Sequence, residues 1–90
     1  MITKNTTIIN EHGLHARPAS DFVQAASKFK SKIMIARADD PENFENAKSI
    51  ISVLLLGLCK GDDIILTTEG EDEEEAANYM VELINSGFGE

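Results

Sequence analysis

His15 and Arg17 stand two residues apart in Gly13-Leu14-His15-Ala16-Arg17-Pro18, and these two residue types suit the handling of a phosphoryl group. An imidazole, whose reference pKa is about 6.5, is mostly neutral near pH 7 and then attacks phosphorus through a ring nitrogen. A guanidinium meets two phosphoryl oxygens at once through its planar fork, which the point charge of a lysine does not. Upstream, Ile2 to Ile9 is rich in Thr and Ile, which suit a pleated strand, and Asn10-Glu11-His12-Gly13 reads as the turn closing it. Downstream, Ala19, Phe22, Val23, Ala26 and Phe29 recur at three- and four-residue steps, which predicts a helix from about Ala16 to Phe29. Pro18 then falls in the first turn, where its missing N–H loses little. His15 is thereby placed at or next to the N-cap, where unpaired N–H groups and the positive end of the helix dipole favour an anion. Taken singly, a His and an Arg at a helix start are more often a cap and a solvated charge; the glycine turn, the spacing and the proline together favour the chemical reading.

The string Gly13-Leu14-His15-Ala16-Arg17-Pro18-Ala19 resembles the active-site signature of the histidine-containing phosphocarrier (HPr) family of the bacterial sugar phosphotransferase system. Asn46-Ala47-Lys48-Ser49-Ile50-Ile51 resembles the family's second signature, around a regulatory serine, and Leu56-Gly57-Leu58 with Lys60-Gly61 resembles the stretch after it. The acidic Glu69-Gly70-Glu71-Asp72-Glu73 also fits, so the similarity runs over nearly the whole chain. The resemblance implies that His15 accepts a phosphoryl group from phosphorylated Enzyme I, itself charged from phosphoenolpyruvate, and donates it to enzyme IIA domains. Arg17 would stabilise the phosphate. Such a protein is a stoichiometric carrier rather than an enzyme, with no metal or cofactor.

The same resemblance makes Ser49 a regulatory phosphorylation site, with an HPr kinase/phosphorylase and a catabolite-control transcription factor as further partners. Ile50, Ile51 and Leu54 match positions that contact partner proteins beside the phosphohistidine. His12, Pro18, Ser20, Gln24 and Lys48 complete the partner-binding face so implied. A phosphate on Ser49 would add about −1.5 to −2 charges beside that apolar patch and weaken docking against an acidic partner. Three departures from the family pattern stand out. The acidic segment 39–45 is longer than usual, which bears on recognition of Ser49. Gln24 and Ser27 stand where some members have lysines, so electrostatic steering to Enzyme I is weaker. His12 occupies a turn position often held by Ser or Asn and is read as a turn residue or a modest phosphate neighbour.

Ninety residues bound the chain to one domain, 1–90, with a single core and no large substrate cavity. No apolar run approaches a membrane span, and the start Met1-Ile2-Thr3-Lys4 lacks the apolar stretch of a secretory signal. Cys59 is the one cysteine, so it forms no internal disulfide; it reads as a small packing residue, and the cytoplasm as the address. The net charge of −8 is uneven: residues 1–38 carry six Lys or Arg against two acids, and residues 39–90 carry two against fourteen. That acidity argues against nonspecific binding to nucleic acid, and the candidate anion site lies in the basic part. A soluble monomer is expected.

Lys32 to Arg37 is a compact apolar run of strand character, Asp39 to Asn43 an acidic turn, and Phe44 to Ala47 a short return strand. The run Ile50 to Leu56 is too uniformly apolar for periodicity to separate a buried strand from a helix; the resemblance makes it a short helix with Ser49 as N-cap. As a helix, Ile50, Ile51 and Leu54 lie on adjoining faces, and a small core does not need all three. Lys60 to Asp63 turns the chain into a last strand in which Ile64 and Leu66 alternate with Ile65 and Thr67. Asp72 to Glu75 opens the final helix, Asp72 and Glu75 are placed to form a capping box, Ala76, Met80, Leu83 and Ile84 share a face, and Gly87 ends it. This order is an α+β chain. The resemblance completes it as a two-layer open-faced sandwich, βαββαβα, with three helices on one face of a four-stranded antiparallel sheet. Three alternatives remain at this point: a carrier of a nitrogen-related or dihydroxyacetone-related phosphotransfer branch, a regulatory HPr paralogue, and a plain small-ligand-binding α+β domain. The known regulatory type lacks the active histidine, and a ligand-binding domain would leave the His15-Arg17 pair unexplained.

Overall fold

Alternation along the two inner strands sets the architecture. In the computed structural model, which describes residues 1–90, Ile33 and Ile35 of β2 (Lys32–Arg37) and Ile64 and Leu66 of β4 (Asp63–Glu69) turn the same way and are buried. These two strands pair antiparallel, with Ile33 opposite Thr68 and Ile35 opposite Leu66. β1 (Ile2–Thr7) pairs antiparallel with the other side of β4, and the two-residue β3 (Glu45–Asn46) pairs with β2, giving the order β1-β4-β2-β3. Three helices cover the apolar face: α1 (Ala16–Ser27), α2 (Ile50–Leu55) and α3 (Glu73–Asn85). A sheet with one covered face explains the regular in-out pattern of β4.

From α1 the core receives Ala19, Phe22, Ala25 and Ala26, from α2 Val53, and from α3 Ala76, Met80 and Ile84. Ile8, Leu14 and Leu58 join it from connecting segments, so the loops that lead to His15 are themselves anchored in the core. Burying a side chain of the size of Phe22 or Leu14 contributes about 1.5–3 kcal/mol. No helix is long and apolar enough to cross a membrane.

Several element ends differ from the sequence-based expectation. β1 stops at Thr7: the Ile8 N–H still donates in register to the Asp62 carbonyl at 2.9 Å, but the Ile8 carbonyl accepts the Gly61 N–H at 2.7 Å, one residue out of register, while the Asp62 N–H turns to the Cys59 carbonyl at 3.0 Å. α1 stops at Ser27: the Lys28 N–H bonds the Ala25 carbonyl in a tightened last turn, and Phe29 packs against the core from beyond the helix. The return strand shrinks to two residues, although the Ala47 N–H still reaches the Ile33 carbonyl at 3.0 Å. The capping box does not form. Asp72 is the N-cap of α3, but its carboxylate turns away from the helix to accept the Lys30 N–H at 2.9 Å, the Ser31 N–H at 2.9 Å and the Ser31 hydroxyl. Three donors from the α1–β2 loop outcompete one from its own helix, and the Ser31 hydroxyl, then the Lys30 N–H, hold the Asp72 carboxyl at about 2. Glu73 ties down the turn before the helix instead, by accepting the Gly70 N–H at 3.1 Å.

Candidate functional site

His15 is the N-cap of α1, with extended backbone at φ −130 and ψ 160, and its ring makes no capping hydrogen bond. The first turn of a helix leaves its N–H groups unpaired, and since Pro18 has none, those of Ala16 and Arg17 are the free donors that follow His15 in the chain. Ala16 follows at φ +50, a left-handed conformation that costs an L-residue about 1–2 kcal/mol. The backbone therefore bends sharply at the residue joining His15 to its helix. Half-buried itself, the His15 ring has its Nε2 3.9 Å from the Sγ of Cys59, and Nδ1 has no partner. Cys59 is thus exposed at the site and is not the packing residue that its type suggested. Its neighbour Leu58 fills the core position instead.

Two segments hold this corner. Gly13, at φ +63, lies so close to residues 57–61 that a Cβ there would collide with the Leu58 carbonyl oxygen and come within 2.8 Å of the Cys59 Cα. That approach lets the Leu14 N–H donate to the Leu58 carbonyl at 3.0 Å, one residue before His15. On its other flank the 57–61 loop is tied down by Asp62, whose carboxylate accepts the Cys59 N–H at 2.8 Å and the Arg37 guanidinium at 3.2 Å. The Cys59 N–H, helped by Arg37, holds the Asp62 carboxyl below the usual range against the opposing effect of burial.

Arg17 is exposed and takes part in none of the structure's ion pairs. With buried Pro18, Asp21, Phe88, Gly89 and Glu90 it lines an open cleft of about 400 Å³. His15 does not line that cleft; what joins the two residues is the first turn of α1, where a guanidinium free of ion pairs and a helix N-terminus both favour an anion. His12 is exposed and its Nδ1 lies 3.0 Å from a Glu90 carboxylate oxygen, while its N–H reaches the other at 3.2 Å. Partial desolvation works against ionisation of Glu90, yet the contacts from His12 and Asn10 hold its carboxyl below the ordinary range. The amide of Asn10 donates to the Gly13 carbonyl at 2.9 Å from a buried position, which stiffens the turn before His15.

The second group of expected residues forms a separate surface. Ser49 is the N-cap of α2, and its Oγ accepts the Ser52 N–H at 3.3 Å. Ile50 and Leu54 are about two-fifths exposed and Ile51 is 70% exposed, so the patch is free of the core. Leu55, at 72%, belongs to it and escaped the sequence reading because one uniform apolar run marks no face. Ser20 and Gln24 pair on α1 through a 3.0 Å hydrogen bond. Lys48 donates its ammonium to the Phe29 carbonyl at 2.7 Å, tying α2's approach to the end of α1.

A family profile described as the PTS HPr component phosphorylation site matches residues 2–86. The chain belongs to the HPr phosphocarrier family. It is 46% identical over 84 residues to the phosphocarrier protein HPr of Pseudomonas aeruginosa, covering 93% of this chain and 91% of that protein. A multiphosphoryl transfer protein of Vibrio cholerae is 40% identical over 88 residues, which are 98% of this chain and 22% of the larger protein. The crystal structure of an HPr from Thermoanaerobacter tengcongensis superposes with a TM-score of 0.93 at 47% identity, covering 100% of this chain and 98% of the other. The sheet order and three helices described above are thus those of an HPr fold, and the chain is a phosphocarrier of the phosphotransferase system.

Proposed function

We propose that His15 of this HPr-family chain accepts a phosphoryl group from phosphorylated Enzyme I and passes it to enzyme IIA domains. The observation that carries the reading is a histidine at the N-cap of α1 whose ring takes no part in capping and whose Nδ1 is unpartnered. The lone pair of the neutral ring attacks phosphorus as the bond from phosphorus to the Enzyme I donor breaks, and the proton stays on the other ring nitrogen. Charge on the transferred group is met by Arg17 and by the unpaired N–H groups of the first turn of α1. Attack by an enzyme IIA nucleophile then breaks the N–P bond and returns the neutral imidazole, so the chain is a stoichiometric carrier.

In this reading Ile50, Ile51, Leu54 and Leu55 dock the partner, with His12, Pro18, Ser20, Gln24 and Lys48 at its border. Ser49 is the regulatory site, open to an HPr kinase/phosphorylase, and its phosphorylated form is the one met by a catabolite-control transcription factor. Residues 1–90 act as one unit, as a monomer and in the cytoplasm. The deciding experiment incubates the protein with labelled phosphoenolpyruvate and purified Enzyme I and looks for one acid-labile, base-stable phosphate. His15→Ala abolishes that label; a fully labelled variant, for instance through His12, overturns the assignment. Arg17→Ala slows onward transfer to enzyme IIA while the melting temperature stays close to wild type, since an exposed cation contributes little to folding.

A further inference from the structure

Arg37, at the end of β2, lies far in sequence from both His15 and the α2 patch, yet it touches the supports of each. Its Nη1 donates to the Leu56 carbonyl at 3.1 Å, the Gly57 carbonyl at 3.3 Å and an Asp62 carboxylate oxygen at 3.2 Å. Its Nε donates to Asp39 at 3.0 Å. Leu56 is the C-cap of α2, so the guanidinium sits where the last helical carbonyls favour a cation. The Asp62 oxygen that meets Arg37 also accepts the Cys59 N–H at 2.8 Å. The same loop presents the Leu58 carbonyl to the Leu14 N–H and is closed onto the end of β1 by the Gly61 N–H at 2.7 Å from the Ile8 carbonyl.

We propose that Arg37 and Asp62 are positioning residues for phosphoryl transfer: together they lock the C-terminal end of the docking helix α2 to the loop against which His15 rests. This rests on the phosphocarrier reading above. Neither side chain touches His15. They act through the Leu58 carbonyl and Cys59, which do meet the segment 13–15. Arg37 supplies charge-assisted bonds to two backbone carbonyls and two carboxylates from a side chain only 27% exposed, a geometry more constrained than that of a surface ion pair. A partner that grips α2 while its active site addresses His15 requires the two to keep one spacing, and a small misplacement of reacting groups costs transfer rate steeply.

The test measures phosphoryl transfer from Enzyme I, with the carrier as the varied substrate, alongside the imidazole nitrogen resonances of His15. Asp62→Ala and Arg37→Ala are expected to lower kcat/KM roughly tenfold and to move the His15 resonances. Asp62→Asn keeps an oxygen that accepts both hydrogen bonds and restores both readouts. Thr68→Val, which removes a buried hydrogen bond to the Glu73 carbonyl at the far end of β4, lowers stability without moving His15. Folded alanine variants with wild-type kcat/KM and unmoved resonances overturn the proposal, as does slowing no greater than in Thr68→Val. Should the alanine variants fail to fold, Arg37→Lys decides, because it keeps the charge but not the fork: shifted His15 resonances support the proposal and unshifted ones overturn it. A wild-type protein that takes no label at all defeats the carrier reading instead, while the resonances still decide whether Arg37 and Asp62 position His15.

Discussion

Substituting Gly13 with Ala separates two physical effects that meet at the site. The residue sits at φ +63, so a Cβ costs about 1–2 kcal/mol from backbone conformation alone. It also abuts the Leu58 carbonyl oxygen and the Cys59 Cα, both backbone atoms of a tethered loop that cannot turn aside as a side chain would. Forcing the segments apart adds about 1–3 kcal/mol of overpacking and weakens the bond from Leu14 to Leu58, worth about 1 kcal/mol. The expected loss is about 3–6 kcal/mol. A domain of this length loses about 5 °C of melting temperature per kcal/mol, so the midpoint falls by at least about 15 °C. Gly57 is the matched control, because it has φ +59 and nothing within 4 Å of a built Cβ. Gly57→Ala then carries the conformational cost only and lowers the midpoint by about 5–10 °C. Both variants change the unfolded chain alike, so calorimetry of the pair isolates the close approach. Equal shifts would refute the claim that residues 57–61 press on the segment leading to His15.

Three further outcomes are expected. Ile51→Glu raises the dissociation constant for Enzyme I by about tenfold, or about 1.4 kcal/mol, with a hardly altered melting temperature, because the side chain is 70% exposed; calorimetric binding checks it. Ser49→Asp slows transfer from Enzyme I to His15 and Ser49→Ala does not, although the alanine also removes the α2 cap at about 1 kcal/mol; equal rates in the two variants leave Ser49 a cap only. Asp72 has its folded-state pKa depressed to about 2 from 3.8, so its stabilising effect is complete above the unfolded value and is lost as the pH falls through about 4 to about 2. Acid unfolding of Asp72→Asn, followed by circular dichroism, is therefore shallower than wild type in that window.

What could be read from the sequence followed short-range rules, and what could not depended on distant partners. The N-cap position of His15 was legible because a glycine turn, a proline and a three-to-four periodicity agree over some fifteen residues. The buried Ile64 and Leu66 followed from simple alternation, and Ser49 as a cap from the resemblance. Asp72 shows the limit: an Asp three residues before a Glu is a capping pattern, but donors 41 and 42 residues away in sequence claimed the carboxylate. Cys59 was misjudged for a related reason, since one thiol has no pattern and only the fold brings it to His15. Arg37 and Asp62 were invisible as a pair, being 25 residues apart with no local signature.

The departures from ordinary structural preference fall on the segments around His15 and on the exposed face of α2, and their placement bears on function. Ala16 holds a left-handed backbone, Ile51 and Leu55 expose most of their apolar surface, Cys59 lies at the surface, and the buried Asn10 Oδ1 has no hydrogen-bond partner. Each is locally unfavourable, and conflicts of this kind concentrate where selection acts on something other than stability. Stability is supplied elsewhere, by the inner strands β2 and β4 and by the buried faces of α1 and α3, where Phe22, Ile33, Ile35, Ile64, Leu66, Met80 and Ile84 are covered. The segments that join the two regions run through Leu14 and Leu58, both fully buried, so the corner around His15 is anchored to the core by its own flanks. That division lets the α2 surface present apolar side chains to a partner without loosening the segment that holds His15.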